Sequence, residues 1–264
     1  MGEDFVLKHT GDIDSLRKQI EVSKAFAQIG LASPAPFPTT AGADFVQEDG
    51  RYFYLTRRLP GNQMVSHRFG DGDGRFVGEI LGQLHMALEK VGNSVNEADL
   101  LGTVQNWALP KSQEALDLTD SFCREYLETF SALYPTLPRQ VIHRDPNPGN
   151  IICTDDSWGF IDFDLAERNV RIYDPCYAAT AVLPETFGEE NSKWLDIFRD
   201  IIRGYDSVIH LTEAEQQAIP YVILANQFVC VAWFAEQEKY AEILETNKNM
   251  TLWLIRNFGE LGRI

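Results

Sequence analysis

The chain has 264 residues, of which 44% are hydrophobic and 23% charged, so it has the composition of a globular protein with a sizeable core. Acidic residues outnumber basic ones by 39 to 23, which gives a net charge of −16. Such a surface repels phosphate backbones and argues against nucleic acids and anionic membranes as partners. The four cysteines form no C-x-x-C pair, no apolar run reaches membrane-spanning length, and no secretory signal opens the chain. We therefore expect a reduced, soluble, cytoplasmic protein, either a monomer or a homodimer.

The first 60 residues predict a small lobe made of a strand, a helix and a hairpin. Residues 5–8 favour a strand, and Asp12 or Asp14 favours the start of a helix that runs to about Gly30. A hairpin is predicted over residues 44–57, with Glu48-Asp49-Gly50 as its turn. Leu59-Pro60-Gly61 ends this block, so we place a domain boundary after residue 60.

Residues 61–264 predict a larger and mainly helical lobe. Phe76, Ile80, Leu84 and Leu88 recur at four-residue spacing, which indicates a helix with one buried face. Further helices are predicted over residues 100–109, 112–133, 194–205, 213–240 and 248–261. Pro220 lies inside the fourth of these and predicts a break or a kink there.

Residues 141–164 carry the most informative pattern in the sequence. Apolar strands are predicted at 151–154 and 158–161, joined by a polar loop. If Thr154 pairs with Trp158, then Asn150 and Asp162 face each other at the open end, with Asp145 just upstream. One amide and two carboxylates converge there, a donor set that suits a hard cation such as Mg²⁺.

The same residues resemble the aminoglycoside phosphotransferase and choline kinase superfamily. The resemblance rests on His143-x-Asp145, on Asn150, on Ile161-Asp162-Phe163 and on Tyr173-Asp174. It implies an α+β, protein-kinase-like fold of two lobes, with ATP or GTP and Mg²⁺ as cofactors. It also implies that Asp145 accepts the proton of an attacking hydroxyl, while Asn150 and Asp162 hold the metal. His143 and Asp174 are expected to brace the catalytic loop by hydrogen bonds.

In the small lobe, the resemblance assigns the nucleotide contacts. Lys8 would grip the phosphates and Glu21 would be its ion-pair partner, while Tyr54 and Leu55 would belong to a hinge over residues 54–58 that meets adenine. Only seven residues precede Lys8, too few for the two strands and glycine-rich phosphate-covering loop of this superfamily. A reduced lid would leave the site wetter, so a catalytically impaired, pseudokinase-like nucleotide-binding protein is the alternative.

A third interpretation, a protein kinase, rests on Arg144 alone. Asp164 stands where protein kinases have the glycine of Asp-Phe-Gly, and no Ala-Pro-Glu follows, which argues against that interpretation.

The acceptor is predicted to be a small molecule, and a cationic one is compatible with the C-terminal residues. Aromatic side chains there, combined with carboxylates, could bind an amine or a quaternary ammonium, although aromatic core packing with a solvated acidic face is the favoured explanation. The aromatic residues are Trp194, Phe228, Trp233, Phe234 and Tyr240, and the acidic ones are Glu185, Glu189, Glu190, Asp196 and Asp200. Residues 204–206 and 211–215 are also similar to bacterial homoserine-kinase-like proteins. Choline, homoserine, an amino sugar and an aminoglycoside remain open.

Overall fold

A computed structural model describes residues 4–28, 32–64, 69–70, 72–91, 95–188 and 191–263. The small lobe consists of β1 (Phe5–Thr10), α1 (Ile13–Gln28), β2 (Val46–Glu48) and β3 (Arg51–Arg57). Its strands form an antiparallel sheet in the order β1-β3-β2, in which Lys8 is paired with Tyr54. Leu16, Ile20 and Tyr54 form its small buried core.

Local sequence explains the ends of these elements. Asp12 caps α1, because its Oδ1 accepts the backbone N–H of Asp14 at 2.9 Å. Asp49 and Gly50 both adopt left-handed backbone angles, with φ of 49° and 74°, as a tight hairpin turn requires. The predicted strand, helix and hairpin are therefore confirmed, although Gly30 lies outside the described residues.

The large lobe is mainly helical, with three short strand pairings inserted. Its helices are α2 (Asp73–Leu88), α3 (Leu100–Thr103), α4 (Leu109–Leu116), α5 (Asp120–Leu133), α6 (Tyr173–Thr186), α7 (Asn191–Val208), α8 (Glu213–Ala235), α9 (Ala241–Arg256) and α10 (Phe258–Leu261). Its strands are β4 (Asn62–Gln63), β5 (Arg139–Ile142), β6 (Ile151–Cys153), β7 (Trp158–Phe160) and β8 (Glu167–Val170). One sheet has the order β4-β6-β7, and β5 pairs with β8.

Several predicted helices differ from the observed ones. The helix predicted over 213–240 ends at Ala235, and the helix predicted over 248–261 corresponds to α9, which begins at Ala241, and α10. The helix predicted over residues 112–133 is broken, because Asp117 takes a left-handed φ of 53° at the end of α4 and Thr119 caps α5. The predicted break at Pro220 is wrong, since α8 continues through this residue without interruption. The buried surroundings of α8 outweigh the local cost of one missing hydrogen bond.

Helix α2 lies against α7 at very close range. A Cβ atom added to Gly78 would overlap the carbonyl oxygen of Ile201, and one added to Gly204 would overlap that of Arg75. Glycine is therefore required on both helices for this approach. The packing fixes α2, whose His85 contacts the buried Asp174 at 2.9 Å.

Helix α8 is the one described helix that is long and apolar enough to cross a bilayer. In the structure, 67% of its most apolar window is buried inside the fold. Central helices of globular proteins have the same character, because they pack on all sides.

Candidate active site

The loop between β5 and β6 is held by one buried carboxylate. Asp174 is fully buried, and its two oxygens accept the backbone N–H groups of His143 at 2.7 Å and Arg144 at 2.9 Å. His85 Nε2 lies 2.9 Å from the same carboxylate. These hydrogen bonds hold Arg144 at a left-handed φ of 77°, which is unfavourable for a residue with a side chain. The prediction that Asp174 braces this loop is confirmed.

The His143 ring connects this loop to the strand end that carries Asp162. Its Nε2 donates to the carbonyl oxygen of Ile161 at 3.0 Å, and its Nδ1 accepts the backbone N–H of Asp145 at 3.3 Å. Burial lowers the pKa of His143, although nearby acidic groups oppose this shift. A neutral ring with the proton on Nε2 satisfies both contacts, so the role of His143 is structural, as predicted.

Asp145 is half-buried, and both of its carboxylate oxygens receive amide N–H groups. Asn147 Nδ2 donates to Oδ1 at 2.9 Å, and Asn150 Nδ2 donates to Oδ2 at 3.2 Å. Asn150 Nδ2 also lies 2.9 Å from the carbonyl oxygen of Asp145. Two donors therefore fix the orientation of the carboxylate. Sequence reasoning missed Asn147, although an asparagine before Pro-Gly is a signal for a side chain that bonds to the local backbone.

The hairpin of β6 and β7 has a different register from the predicted one. Cys153, and not Thr154, pairs with Trp158, and Ile151 pairs with Phe160. Thr154 instead belongs to the turn, where its N–H and hydroxyl bond to Ser157. The turn thus takes one residue that the prediction had placed in the strand.

The shifted register places Asn150 opposite Ile161 and not opposite Asp162. The Ile161 N–H donates to the carbonyl oxygen of Asn150 at 3.0 Å. Asp162 follows with left-handed backbone angles, φ 68° and ψ 63°, and its side chain is 51% exposed. Asn150 and Asp162 are still neighbours at the open end of the hairpin, but through this turn of the backbone.

The candidate metal-ligand atoms at the open end of the hairpin are oxygens. The amide nitrogen of Asn150 donates to Asp145, so Oδ1 is the Asn150 atom that could act as a metal ligand, with the Asp162 carboxylate as the second candidate. Among the described residues there is no group of three or more His, Cys, Asp and Glu side chains that could hold a metal ion. The set fits a hard cation that takes its other ligands from phosphate and water, as Mg²⁺ does.

Lys8 lies at the same place, on the small-lobe side. Its Nζ is 3.9 Å from Asp162 Oδ1, and its side chain is 35% exposed. Asp164 lies next to this pair, and burial, with the charge of Asp162, raises the pKa of its carboxyl. Lys18 of α1 donates to the carbonyl oxygen of Asp164 at 2.6 Å. Two lysines from the small lobe therefore reach the segment that carries Asp162.

The predicted pairing of Lys8 with Glu21 stays a prediction, and the two residues line different depressions of the surface. The depression beside Lys8 is lined by Gln19 and Ser23 from α1. Glu21 lines a separate groove with Lys24. The reason is helical geometry, because residues 19 and 23 share a face of α1 and residue 21 lies away from it.

The predicted hinge residues also need correction. Tyr54 and Leu55 lie in the middle of β3, where the Tyr54 hydroxyl donates to Gln19 Oε1 at 2.6 Å. The Leu55 carbonyl oxygen accepts the N–H of Phe37 at 2.6 Å, a contact within the small lobe. Burial, and then the charges of Asp164 and Asp162, raise the pKa of Tyr54. The connection between the lobes begins after β3 ends at Arg57.

A cavity of about 410 Å³ lies where the two lobes meet. Its size falls within the range typical of small-molecule sites. Apolar side chains line it from both lobes, and Lys8 and the connection that follows Arg57 complete it; the apolar residues are Val6, Pro34, Leu59, Ile152 and Ile161. A cavity of this size and lining is compatible with an aromatic group, and Lys8 is among its lining residues.

On the other side of Asp145 lie residues from α6 and α8. Burial raises the pKa of Tyr177, and its hydroxyl faces the Asp145 carboxylate, which acts in the same direction. Burial also raises the pKa of the Cys230 thiol to about 11; Arg144 opposes this shift and Asp145 adds to it. The Nε of Arg144 lies 2.8 Å from Oε1 of Glu167, with which it forms an ion pair. Sequence reasoning did not single out Tyr177 or Cys230.

The aromatic residues proposed from the sequence divide into two groups. Trp194 and Phe228 are fully buried and belong to the core. Trp233, Phe234 and Tyr240 contact one another, with ring centroids 4.9–5.7 Å apart, and Trp233 is 45% exposed.

Two of the acidic residues proposed with these aromatic residues form ion pairs with arginines of α7. Asp196 lies near Arg199 and Asp200 near Arg203. The side chain of Glu185, and Glu189 and Glu190, lie outside the described residues.

Sequence comparison relates the chain to phosphotransferases. The family described as APH, phosphotransferase enzyme family, matches residues 2–206. A homoserine kinase of Zymomonas mobilis is 31% identical over 154 residues, which cover 54% of this chain and 46% of that protein. A homoserine kinase of Agrobacterium fabrum is 30% identical over 199 residues, covering 72% and 59%. The chain thus spans about half the length of these curated relatives.

Structural comparison confirms the predicted α+β, protein-kinase-like fold. An amicoumacin kinase in complex with AMP-PNP and calcium has a TM-score of 0.73 at 14% identity, covering 95% of this chain and 82% of that one. A microcompartment-associated aminopropanol kinase has a TM-score of 0.71 at 15% identity, covering 98% and 87%.

Proposed function

Because the chain belongs to the APH phosphotransferase enzyme family, we propose that it transfers the γ-phosphoryl group of Mg·ATP to a hydroxyl of a small molecule. The observation that carries this proposal is the direct hydrogen bonding of Asp145 to Asn150, at 3.2 Å, next to Asp162 and Lys8. Phosphoryl transfer requires these parts: an acceptor for the hydroxyl proton, oxygen ligands for a cation and a fixed positive charge for phosphate.

Each residue has one task in this proposal. The Asp145 carboxylate accepts a hydrogen bond from the attacking hydroxyl and takes its proton as the new oxygen–phosphorus bond forms, while the bond between the γ-phosphorus and the bridging oxygen breaks and ADP leaves. Lys8 binds the phosphates. Asn150 Oδ1 and the Asp162 carboxylate would hold Mg²⁺, which neutralises phosphate charge when it is bound. The adenine ring of the nucleotide would occupy the apolar cavity between the lobes, against Leu59 and Ile161.

Proton transfer in this arrangement depends on how Asp145 is held. The amide groups of Asn147 and Asn150 each donate to one oxygen of the Asp145 carboxylate, which fixes its orientation and restricts its rotation. Proper orientation of reacting groups contributes a large part of the rate in such sites. The buried Asp174 also stabilises this loop, because it accepts the backbone N–H groups of residues 143 and 144.

The acceptor we propose is a small amino alcohol or a hydroxylated amino acid. The curated relatives are homoserine kinases, and a structural neighbour is an aminopropanol kinase. Both names describe a hydroxyl on a short chain that also carries an amine. The acidic net charge of −16 also favours cationic ligands over anionic ones.

The test is acceptor-dependent release of ADP by the purified chain. Mg·ATP would be supplied with L-homoserine, 1-amino-2-propanol or kanamycin, and each product checked by mass spectrometry for an added phosphoryl group. Asp145→Asn is expected to reduce turnover at least about 10²-fold, because it removes the proton acceptor and keeps the shape. Asp155→Asn, in the exposed hairpin turn, is the matched control. Nucleotide binding without transfer to any acceptor would favour the pseudokinase-like alternative instead.

A further inference from the structure

The connection between the lobes is attached to the hairpin of β6 and β7 as soon as it leaves the small lobe. Strand β4 pairs with β6, so that Gln63 lies opposite Ile152. Gly61 has a φ of 108°, and a Cβ atom added to it would overlap the carbonyl oxygen of Cys153. Only glycine allows the connection to approach β6 this closely. From Gly61 onward, the connection is therefore fixed to the large lobe.

The side chain of Gln63 reaches the loop that carries Asp145. Its Nε2 donates to the carbonyl oxygen of Gly149 at 2.8 Å. The N–H of Gly149 donates to Oδ1 of Asn147 at 2.8 Å, and Nδ2 of this asparagine donates to Oδ1 of Asp145 at 2.9 Å. Three consecutive hydrogen bonds thus connect Gln63 with the carboxylate of Asp145.

Gln63 also lines the cavity between the lobes. Its side chain is exposed, so water competes with the carbonyl oxygen of Gly149 for its amide donors. A nucleotide in this cavity would cover Gln63 and exclude that water, and a hydrogen bond is stronger where water is excluded. The neighbouring Asn62 lines the same cavity, but its side chain forms no hydrogen bond with any described residue.

We propose that Gln63 is a positioning residue that couples nucleotide binding to the orientation of the Asp145 carboxylate. The inference rests on the proposed phosphotransferase function. Bound nucleotide would strengthen the hydrogen bond from Gln63 to Gly149, which holds Asn147 against Asp145. The proton acceptor would then be well aligned only when the phosphoryl donor is present. Because such coupling is reciprocal, an ordered loop also favours nucleotide binding.

The experiment compares Gln63→Glu with Asn62→Asp. Each variant replaces an amide by a carboxylate of nearly the same shape in the wall of the cavity, but only Gln63→Glu removes the donor to Gly149. Hydrogen exchange of the segment 145–150 is measured with and without saturating Mg·AMP-PNP. The kcat and the KM of ATP are measured with the acceptor that the wild type phosphorylates fastest.

In the wild type, we expect AMP-PNP to slow exchange in segment 145–150 at least about fivefold. In Gln63→Glu this slowing should fall below about twofold, and kcat should fall about tenfold because Asp145 is less well oriented. Asn62→Asp should raise the KM of ATP as much as Gln63→Glu does, because it adds the same charge near the phosphates. It should keep the slowing of exchange that the wild type shows.

Three results would refute the inference: unchanged exchange when AMP-PNP binds to the wild type, equal slowing in the wild type and Gln63→Glu, or equal kcat in the two variants. Gln63→Leu, which removes the donor without adding a charge, replaces Gln63→Glu if that variant does not bind nucleotide. Exchange needs no acceptor, so slowing that depends on Gln63 without turnover of any acceptor would support the coupling and overturn the proposed transfer. Failure of the wild type to bind AMP-PNP would overturn both.

Discussion

Replacing Asp174 with asparagine is expected to destabilise the fold and to displace the catalytic loop. The carboxylate accepts three donors: the N–H groups of His143 and Arg144 and the Nε2 of His85. An asparagine has one acceptor oxygen and presents its NH₂ group to donors at the other position. In its better orientation it keeps His143 and His85 and leaves the Arg144 N–H unpaired.

The magnitude follows from these three contacts. An unpaired buried N–H costs about 1–3 kcal/mol, and the two remaining hydrogen bonds each lose about 1 kcal/mol when the charge is removed. The sum is about 3–5 kcal/mol, which for a chain of this size lowers Tm by roughly 10 °C. Arg144 then lacks the support for its left-handed backbone, and a shift of the neighbouring Asp145 by about 1 Å would reduce kcat about 10²-fold.

The assay is thermal unfolding by circular dichroism together with the kinase assay described above. Asp196→Asn is the matched control, because this carboxylate is 78% exposed and should change stability by less than about 0.5 kcal/mol. A variant at position 174 that unfolds at the temperature of the wild type and retains its kcat would refute the reasoning.

Three further predictions concern charge, close packing and pH. Lys8→Met is expected to reduce kcat/KM for ATP about 10²-fold, because it removes the ammonium beside Asp162. Gly78→Ala is expected to lower the free energy of unfolding by about 3 kcal/mol, because the added methyl overlaps the backbone of α7. Between pH 7.5 and 5.5, the wild type is expected to lose more stability than His143→Gln. The folded state holds His143 neutral with a lowered pKa, so protons bind the unfolded chain preferentially once the pH falls below about 6.5.

The predictions for Lys8 and Gly78 each have a control variant, and the prediction for His143 has a result that would contradict it. Lys24→Met removes a lysine of α1 that pairs with Asp44 at 2.6 Å, and it should leave ATP kinetics unchanged. Gly259→Ala adds a methyl where no atom lies within 4 Å, and it should be neutral. Equal losses of stability on acidification in the wild type and His143→Gln would show that the buried ring does not govern this pH range.

Sequence reasoning succeeded where the information is local. The cap of α1 by Asp12, the turn at Asp49-Gly50 and the periodicity of α2 depend on residues close in the chain, so their chemistry is readable without a structure. The order of the motif from His143 to Asp174 likewise identified the family. These patterns were sufficient for the fold class and for the set of residues at the proposed phosphoryl-transfer site.

The errors arose where partners are distant or where a turn sets the register. Thr154 lies in the turn and not in the predicted strand, so the hairpin register differs by one residue from the predicted one. Local composition does not decide between these two registers. The pairing of Glu21 with Lys8 was predicted from motif order alone, and the structure shows that Gln19 lines the depression beside Lys8. Tyr54 and Leu55 were assigned to the hinge, but pairing with β1 keeps them inside the sheet.

The sequence by itself determined the family and the two-lobe fold, and it predicted Asp145, Asn150 and Asp162 as a group. Only the tertiary structure decided what surrounds that group. The nearness of Tyr177 and Cys230 to Asp145 depends on how α6 and α8 pack against the loop that carries Asp145. Packing between helices is set by the sum of many weak contacts between residues far apart in the chain, and no short segment encodes that sum.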